Sequence, residues 1–98
     1  MRRALLLVLL AIPFAFPAGA AAEVHGCNHH ADFNLLISSA RNISCTKARA
    51  EMRRYKGSIR KTFTTPRGFR CRRVSGGRLG GQWRCAKGRR AFRFEFGD

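Results

Sequence analysis

The sequence is too short for more than one domain, and it has few acidic side chains. Its 98 residues include 20 lysines and arginines but five aspartates and glutamates, which gives a formal charge of +15. A chain of this length forms one domain at most. The length excludes a two-domain enzyme, a nucleotide-binding sheet of ordinary size and a polytopic membrane protein. What remains is a small basic domain with four cysteines.

Long hydrophobic runs are also scarce. The one candidate, residues 4–16, is 13 residues long and is interrupted by Pro13. A membrane-spanning helix needs about 20 apolar residues, so this run is too short, and no later segment is apolar enough. An N-terminal membrane anchor is the less favoured interpretation of the run.

The flanks of the run favour a secretory signal peptide. Met1-Arg2-Arg3 precedes it, and the small residues of 17–22 follow it, which is the usual order of a cleaved signal. We therefore expect residues 1–22 to be a signal peptide, cut after Ala20 or Ala22, and the protein to be secreted. The small-residue stretch contains no cysteine, so a lipid anchor is not expected.

Loss of residues 1–22 would leave 76 residues with 18 basic and five acidic side chains, a net charge of +13. A domain of this size buries a small core and is marginally stable by itself. In an exported chain, four cysteines indicate two disulfides that supply the missing stability. Buried thiols or zinc ligands are the alternatives.

The first half of the mature chain predicts one strand and one helix. Residues 23–32 are polar and predict a flexible N-terminus, which leaves 33–98 as a single domain. Phe33, Leu35 and Ile37 alternate, so 33–38 predicts a strand. A polar connection over 39–42 should follow.

A helix is predicted over 45–56, with Ser44 as its N-cap and Gly57 as the residue that ends it. One apolar stripe would face the core, and the charged residues between its positions, Glu51 among them, should face water. The stripe consists of Cys45, Ala48, Met52 and Tyr55.

The second half of the chain predicts three antiparallel strands over 68–74, 82–86 and 90–96. A glycine-rich loop over 75–81 and a tight turn at Lys87-Gly88 would join them. In that register Trp83 lies opposite Phe92, and Cys71 lies opposite Cys85. The predicted fold is α+β, with the helix packed on the apolar face of an antiparallel sheet.

The pleat assigns the side chains of these strands to two faces. The predicted apolar face consists of Phe69, Cys71, Trp83, Cys85, Phe92, Phe94 and Phe96. The predicted basic face consists of Arg70, Arg72, Arg84 and Arg93, with Glu95 as its one acid.

Four cysteines allow three disulfide connectivities, and sequence alone does not choose among them. The opposed strand positions favour Cys71–Cys85, which leaves Cys27–Cys45. The rival arrangement sends one strand cysteine to helical Cys45 and the other to Cys27.

The basic face is the main functional candidate. Arg72 would lie opposite Arg84, and like charges in that position are destabilising. A guanidinium suits phosphate and carboxylate because its planar fork donates two parallel hydrogen bonds. An anionic cell-envelope polymer, nucleic acid or an acidic membrane surface is therefore the expected partner of a monomeric protein. A merely solvated surface is the alternative. The aromatics of the strands lie on the other face, which weakens the case for stacking of single-stranded bases.

Two further candidates are weak. His25, with Cys27, His29 and His30, falls short of a zinc set, and no cofactor is expected. If cleavage followed Ala22, however, the amine of Glu23, two amides and His25 would offer Cu(II) or Ni(II) a square plane. A mobile polar tail is the favoured interpretation of these residues.

An enzyme is not expected. Glu95 lies beside several arginines and could serve as the base in phosphodiester cleavage, as in small secreted ribonucleases. Such a mechanism also needs a general acid near the site, usually a histidine. All three histidines lie within residues 25–30, far from Glu95 in sequence. Glu95 is therefore interpreted as a counter-ion for Arg84 or Arg93. An exported antimicrobial protein and a small secreted nuclease remain the alternatives to a binding module.

The order of cysteines and glycines resembles that of a loose group of small secreted bacterial proteins of unknown function. The matching positions are Cys27, the run 42–48 with its N-x-S-C-x-x-A helix start, the strand Gly68-Phe69-Arg70-Cys71, and the ending from Arg84-Cys85 through Phe92 and Phe94. The likeness covers most of residues 27–96. It implies a secreted, disulfide-bonded αβ unit, and it implies no activity.

Overall fold

The computed structural model of the chain describes residues 23–77 and 79–97, so the predicted signal peptide lies outside the described residues. The predicted helix on an antiparallel sheet is confirmed, but the sheet dominates and has six strands in the order β1-β2-β6-β5-β4-β3. Each neighbouring pair is antiparallel. The elements are β1 (His25–Asp32), β2 (Leu35–Arg41), α1 (Cys45–Arg54), β3 (Thr62–Thr64), β4 (Arg70–Gly77), β5 (Gly80–Lys87) and β6 (Arg90–Gly97).

Strand β1 was not expected, because the polar sequence of 23–32 predicts an irregular segment. The segment pairs with β2 and turns Ala31 into the core, where 7 % of its surface is exposed. Cys27 is half-buried against the core and is joined to the helix by a disulfide. Backbone pairing and this covalent link hold a strand that has little apolar surface of its own.

Strand β2 begins two residues later than predicted. Leu35 and Ile37 are buried as expected, but Phe33 is 94 % exposed. Phe33 occupies the two-residue turn between β1 and β2, where its N–H donates to Asp32 Oδ1 at 2.7 Å. The strand then continues to Arg41, through the predicted polar connection.

The helix starts where the sequence predicts, since the Ser44 hydroxyl accepts the Lys47 N–H at 3.1 Å. Ala48 and Met52 are buried. The helix ends earlier than predicted, because Tyr55 is already extended and Gly57 has no positive φ. A Cβ on Gly57 would lie 2.6 Å from the Tyr55 hydroxyl, so this glycine is needed for close contact and does not cap the helix.

Glu51 contradicts the expectation that it faces water, because it is 2 % exposed. Its Oε2 accepts the Arg67 N–H at 2.7 Å, and its Oε1 lies 3.4 Å from Arg54 Nη1. The carboxylate therefore fastens the helix to the turn between β3 and β4. The apolar stripe of the helix does not predict this contact, because the partner of Glu51 is 16 residues away in sequence.

The connection after the helix crosses the inner face of the sheet, which is the face that packs on the helix. The Tyr55 ring stacks on Phe63 with centroids 4.5 Å apart. Trp83 Nε1 donates to the Arg60 carbonyl at 2.7 Å. This crossing brings β3 to the opposite edge of the sheet from β1.

The predicted faces of the three C-terminal strands agree with the observed burial, although one turn is wrong. Lys87 pairs with Arg90, so the tight turn is Gly88-Arg89 and Trp83 lies opposite Phe94 instead of Phe92. The error in register is two residues, which leaves every side chain on its predicted face. Phe92 and Phe94 are at most 1 % exposed, and burial of each ring contributes about 1.5–3 kcal/mol to stability.

The glycine-rich segment predicted as a loop over 75–81 is mostly strand. Gly77 pairs with Gly80 at the end of the β4–β5 hairpin, and Arg78 lies outside the described residues. Gly76 has φ +90°, and a Cβ there would collide with the backbone of Gly80 and Gly81. The glycines therefore permit a tight approach of two strands.

Two disulfides join Cys27 to Cys45 and Cys71 to Cys85. This is the connectivity that the sequence favours. The first joins edge strand β1 to the start of the helix. The second joins directly opposed positions of β4 and β5, with Cα atoms 3.9 Å apart.

Candidate anion-binding surface

Three arginines form a row across the outer face of the sheet, the side that faces away from the helix. Arg72 on β4 lies opposite Arg84 on β5, and Arg84 lies opposite Arg93 on β6. All three are exposed. Neighbouring strands are about 4.8 Å apart, so this arginine row is about 10 Å long between its outer Cα atoms.

The arginine row could be predicted from sequence only in part. The expected opposition of Arg72 and Arg84 is confirmed. The third member comes from the corrected register, because the predicted turn places Arg93 away from the position opposite Arg84. The turn lies one residue later than predicted, which shifts the β5–β6 pairing by two residues and brings Arg93 opposite Arg84.

A groove of about 410 Å³ lies on the β3 side of the row. Three arginines and two threonine hydroxyl groups are among its lining side chains, namely Arg70, Arg72, Arg84, Thr62 and Thr64. The threonines belong to β3, which was not among the predicted strands. Guanidinium groups only donate hydrogen bonds, and hydroxyl groups can donate as well as accept them, so this lining suits an anion.

A smaller depression of about 150 Å³ lies on the other side of Arg84. Its lining includes Ser39, Arg41, Arg84 and Arg93. Sequence reasoning also missed Arg41, because 39–42 was expected to be a connection. Thus Arg84 lies between two depressions, and each depression contains further arginines.

No acid forms an ion pair with these arginines within the described residues. The one ion pair among residues 23–77 and 79–97 joins Arg54 to Glu51 on the helix side. The predicted pairing of Glu95 with Arg84 or Arg93 is therefore wrong. Glu95 and Arg93 are two residues apart on one strand, so their Cα atoms stand about 7 Å apart and both side chains extend into solvent.

Glu95 belongs to the next row of the outer face. It lies between Gln82 of β5 and Leu36 of β2, and Leu36 in turn lies opposite His30 of β1. Sequence reasoning missed this relation because it gave no strand at 25–32. The strand order of the sheet brings His30 within two strands of Glu95.

The predicted cluster of metal-ligand residues is divided by the pleat of β1. His30 is on the outer face, whereas His29 lies opposite the buried Ile37. Among the described residues, the three potential ligand atoms that come within 4.8 Å of one another belong to His25, Cys27 and Cys45. Both sulfurs are joined in a disulfide, so His25 is the one group of the three that retains a free donor atom.

Comparisons with known proteins found no match: no family model fits the chain, and neither a curated protein nor a solved structure is significantly similar to it. The resemblance to small secreted four-cysteine proteins stays a prediction. Within the described residues, no helix has the length and apolar character needed to cross a membrane.

Proposed function

We propose that the protein is a secreted binding module that holds an anionic polymer, either a cell-envelope polymer or a nucleic acid, on the outer face of its sheet. The arginine row carries this proposal. Opposed like charges on neighbouring strands weaken a sheet, and here three stand side by side without an acid within 4 Å among the described residues. A bound anion would remove that repulsion.

An extended partner suits this surface better than a single small ion. The basic groups continue from the 410 Å³ groove past Arg84 into the second depression. A polymer with regularly spaced phosphate, sulfate or carboxylate groups can contact several of them at once. Each arginine can donate two parallel hydrogen bonds to such a group.

The remaining features support an extracellular role. Two disulfides are compatible with an oxidising environment outside the cytosol. The signal-like segment 1–22 would supply the route, and the net charge of +13 that remains without it would attract polyanions over a distance.

The direct test is fluorescence anisotropy with a labelled single-stranded RNA at moderate salt. We expect the double variant Arg72→Ala with Arg84→Ala to bind at least tenfold more weakly than the wild type, because it loses two charge-assisted contacts. The matched control, Arg60→Ala with Arg89→Ala, removes two exposed arginines outside the row and should bind within about threefold of the wild type.

Equal weakening of both double variants would overturn the proposal, because it would show attraction to net charge alone. Anionic polysaccharide in place of RNA distinguishes a cell-envelope polymer from nucleic acid. Leakage of anionic vesicles without binding to either polymer would instead support the exported antimicrobial alternative.

A further inference from the structure

Strand β1 places a histidine on the same face of the sheet as Glu95. His30 lies opposite Leu36, and Leu36 lies opposite Glu95, so the three belong to one row across β1, β2 and β6. Both His30 and Glu95 are exposed. With a strand spacing of about 4.8 Å, their Cα atoms are about 10 Å apart.

The two side chains line one open cavity of about 640 Å³. Leu36, Phe33 and Phe96 contribute its apolar surface, and Gln82 and Ser75 contribute polar groups. Phe33 is 94 % exposed at the rim. An aromatic ring beside a basic surface can stack on a nucleobase, which the buried rings of Trp83, Phe92 and Phe94 cannot do from the opposite face.

The separation of His30 and Glu95 suits an acid and a base that act on one phosphodiester. A base that serves the attacking oxygen and an acid that serves the leaving oxygen stand on opposite sides of the phosphorus, each within about 3 Å of its oxygen. Two residues in direct contact would leave no room for the phosphate between them. One intervening strand provides that room.

We propose that His30 and Glu95 form an acid–base pair that cleaves single-stranded RNA lying along the outer face. The proposal rests on the proposed function, because the arginine row would hold the RNA backbone. Arg93 lies between the arginine row and the acid–base pair. It belongs to the row and is two residues before Glu95 on β6, so the two Cα atoms are about 7 Å apart.

The reaction is a transesterification that uses the nucleophile of RNA itself. The Glu95 carboxylate takes the proton of the 2′-hydroxyl, whose oxygen forms a bond to phosphorus. The bond between phosphorus and the 5′-oxygen breaks, and the His30 imidazolium donates its proton to that oxygen. The products are a 2′,3′-cyclic phosphate and a 5′-hydroxyl, and exchange of protons with water restores both side chains. Arg93 is placed to stabilise the charge that develops on the phosphoryl oxygens.

The experiment compares a fluorophore–quencher RNA oligonucleotide with a DNA oligonucleotide of the same sequence. We expect the wild type to cleave the RNA and leave the DNA intact, because DNA lacks the 2′-hydroxyl. Mass spectrometry should show the 2′,3′-cyclic phosphate. Glu95→Gln and His30→Asn should each lower the cleavage rate at least 100-fold, as expected for loss of a general base or acid.

Two controls separate cleavage from folding and from binding. His25→Asn changes an exposed histidine of the same strand that does not line the cavity, and it should retain the wild-type rate. Both catalytic variants should still bind the DNA oligonucleotide within about threefold of the wild type, and their thermal unfolding should match that of the wild type. A rate that falls in His30→Asn but returns with added imidazole would further support the assignment.

RNA that is bound but not cut by the wild type would overturn this inference and leave the proposed function intact. Cleavage that is unchanged in both variants would also overturn it, since it would come from another source. If neither oligonucleotide binds but an anionic polysaccharide does, this inference fails and the proposed function holds for a cell-envelope polymer. If none of the three polymers binds, both fail.

Discussion

Glu51 illustrates how a single residue acquires its role from contacts distant in sequence. It lies on the helix beside basic residues, and nothing in its neighbourhood predicts burial. In the structure, its carboxylate accepts the Arg67 N–H at 2.7 Å and is 2 % exposed. The turn from Thr65 to Phe69 is closed by its own hydrogen bonds, and Glu51 is its link to the helix.

We predict that Glu51→Ala destabilises the protein by about 1–3 kcal/mol, because it leaves the partly buried Arg67 N–H without an acceptor. Urea denaturation of the wild type and the variant measures the difference. Arg54→Ala is the matched control, since it removes the half-exposed partner of the ion pair and should cost less than about 1 kcal/mol. Similar losses in the two variants would contradict the role of Glu51.

Among the elements of the fold, strand β1 has the composition that is least typical of a strand. It is an edge strand, and irregularities interrupt its pairing with β2. Two contacts join it to the helix: the Cys27–Cys45 disulfide, and a hydrogen bond of 3.1 Å from Arg53 Nε to the Ala31 carbonyl. Its position matters for function because it carries His30.

We predict that Cys27→Ala with Cys45→Ala loosens β1 selectively. The disulfide closes a sequence separation of 18 residues, a constraint of about 3 kcal/mol. Amide hydrogen exchange should accelerate in β1 and in the first turn of α1, while β6 keeps its protection. Cys71→Ala with Cys85→Ala, of separation 14, should instead accelerate exchange in β4 and β5. Uniform acceleration in the first variant would contradict a local role for the Cys27–Cys45 bond.

Sequence alone predicts which face of the sheet a side chain occupies better than it predicts the bounds and order of the strands. The alternation from Arg90 to Phe96 assigns each side chain to a face even when the turn is misplaced, because an error of two residues keeps the alternation. Strand order is different. The local sequence does not indicate that β1 pairs with β2 or that β2 pairs with β6. The position of His30 and Glu95 in one row of the outer face could therefore not be predicted. Likewise Thr62 and Arg41 reach the arginine surface only through tertiary pairing.

In the molecule as a whole, the buried aromatic core and the arginine row lie on opposite faces of the sheet. The inner face holds the aromatic side chains, the helix and the buried disulfide Cys71–Cys85. The outer face holds the arginine row and the cavity with His30 and Glu95. One side of the sheet therefore stabilises the fold, and the other is free to bind. A monomer would suffice for this arrangement, and a monomer remains our expectation.

The salt dependence of RNA binding distinguishes contacts made by the arginine row from attraction to net charge. Each phosphate contact with a single strand contributes about 0.7 to the slope of log K against log salt concentration. We expect the triple variant Arg72→Ala, Arg84→Ala and Arg93→Ala to bind with a slope that is less steep than that of the wild type by about 2. The control triple variant Arg60→Ala, Arg89→Ala and Arg90→Ala, which removes the same charge outside the row, should keep the wild-type slope. Equal slopes for the two triple variants would contradict binding of the RNA backbone at the arginine row.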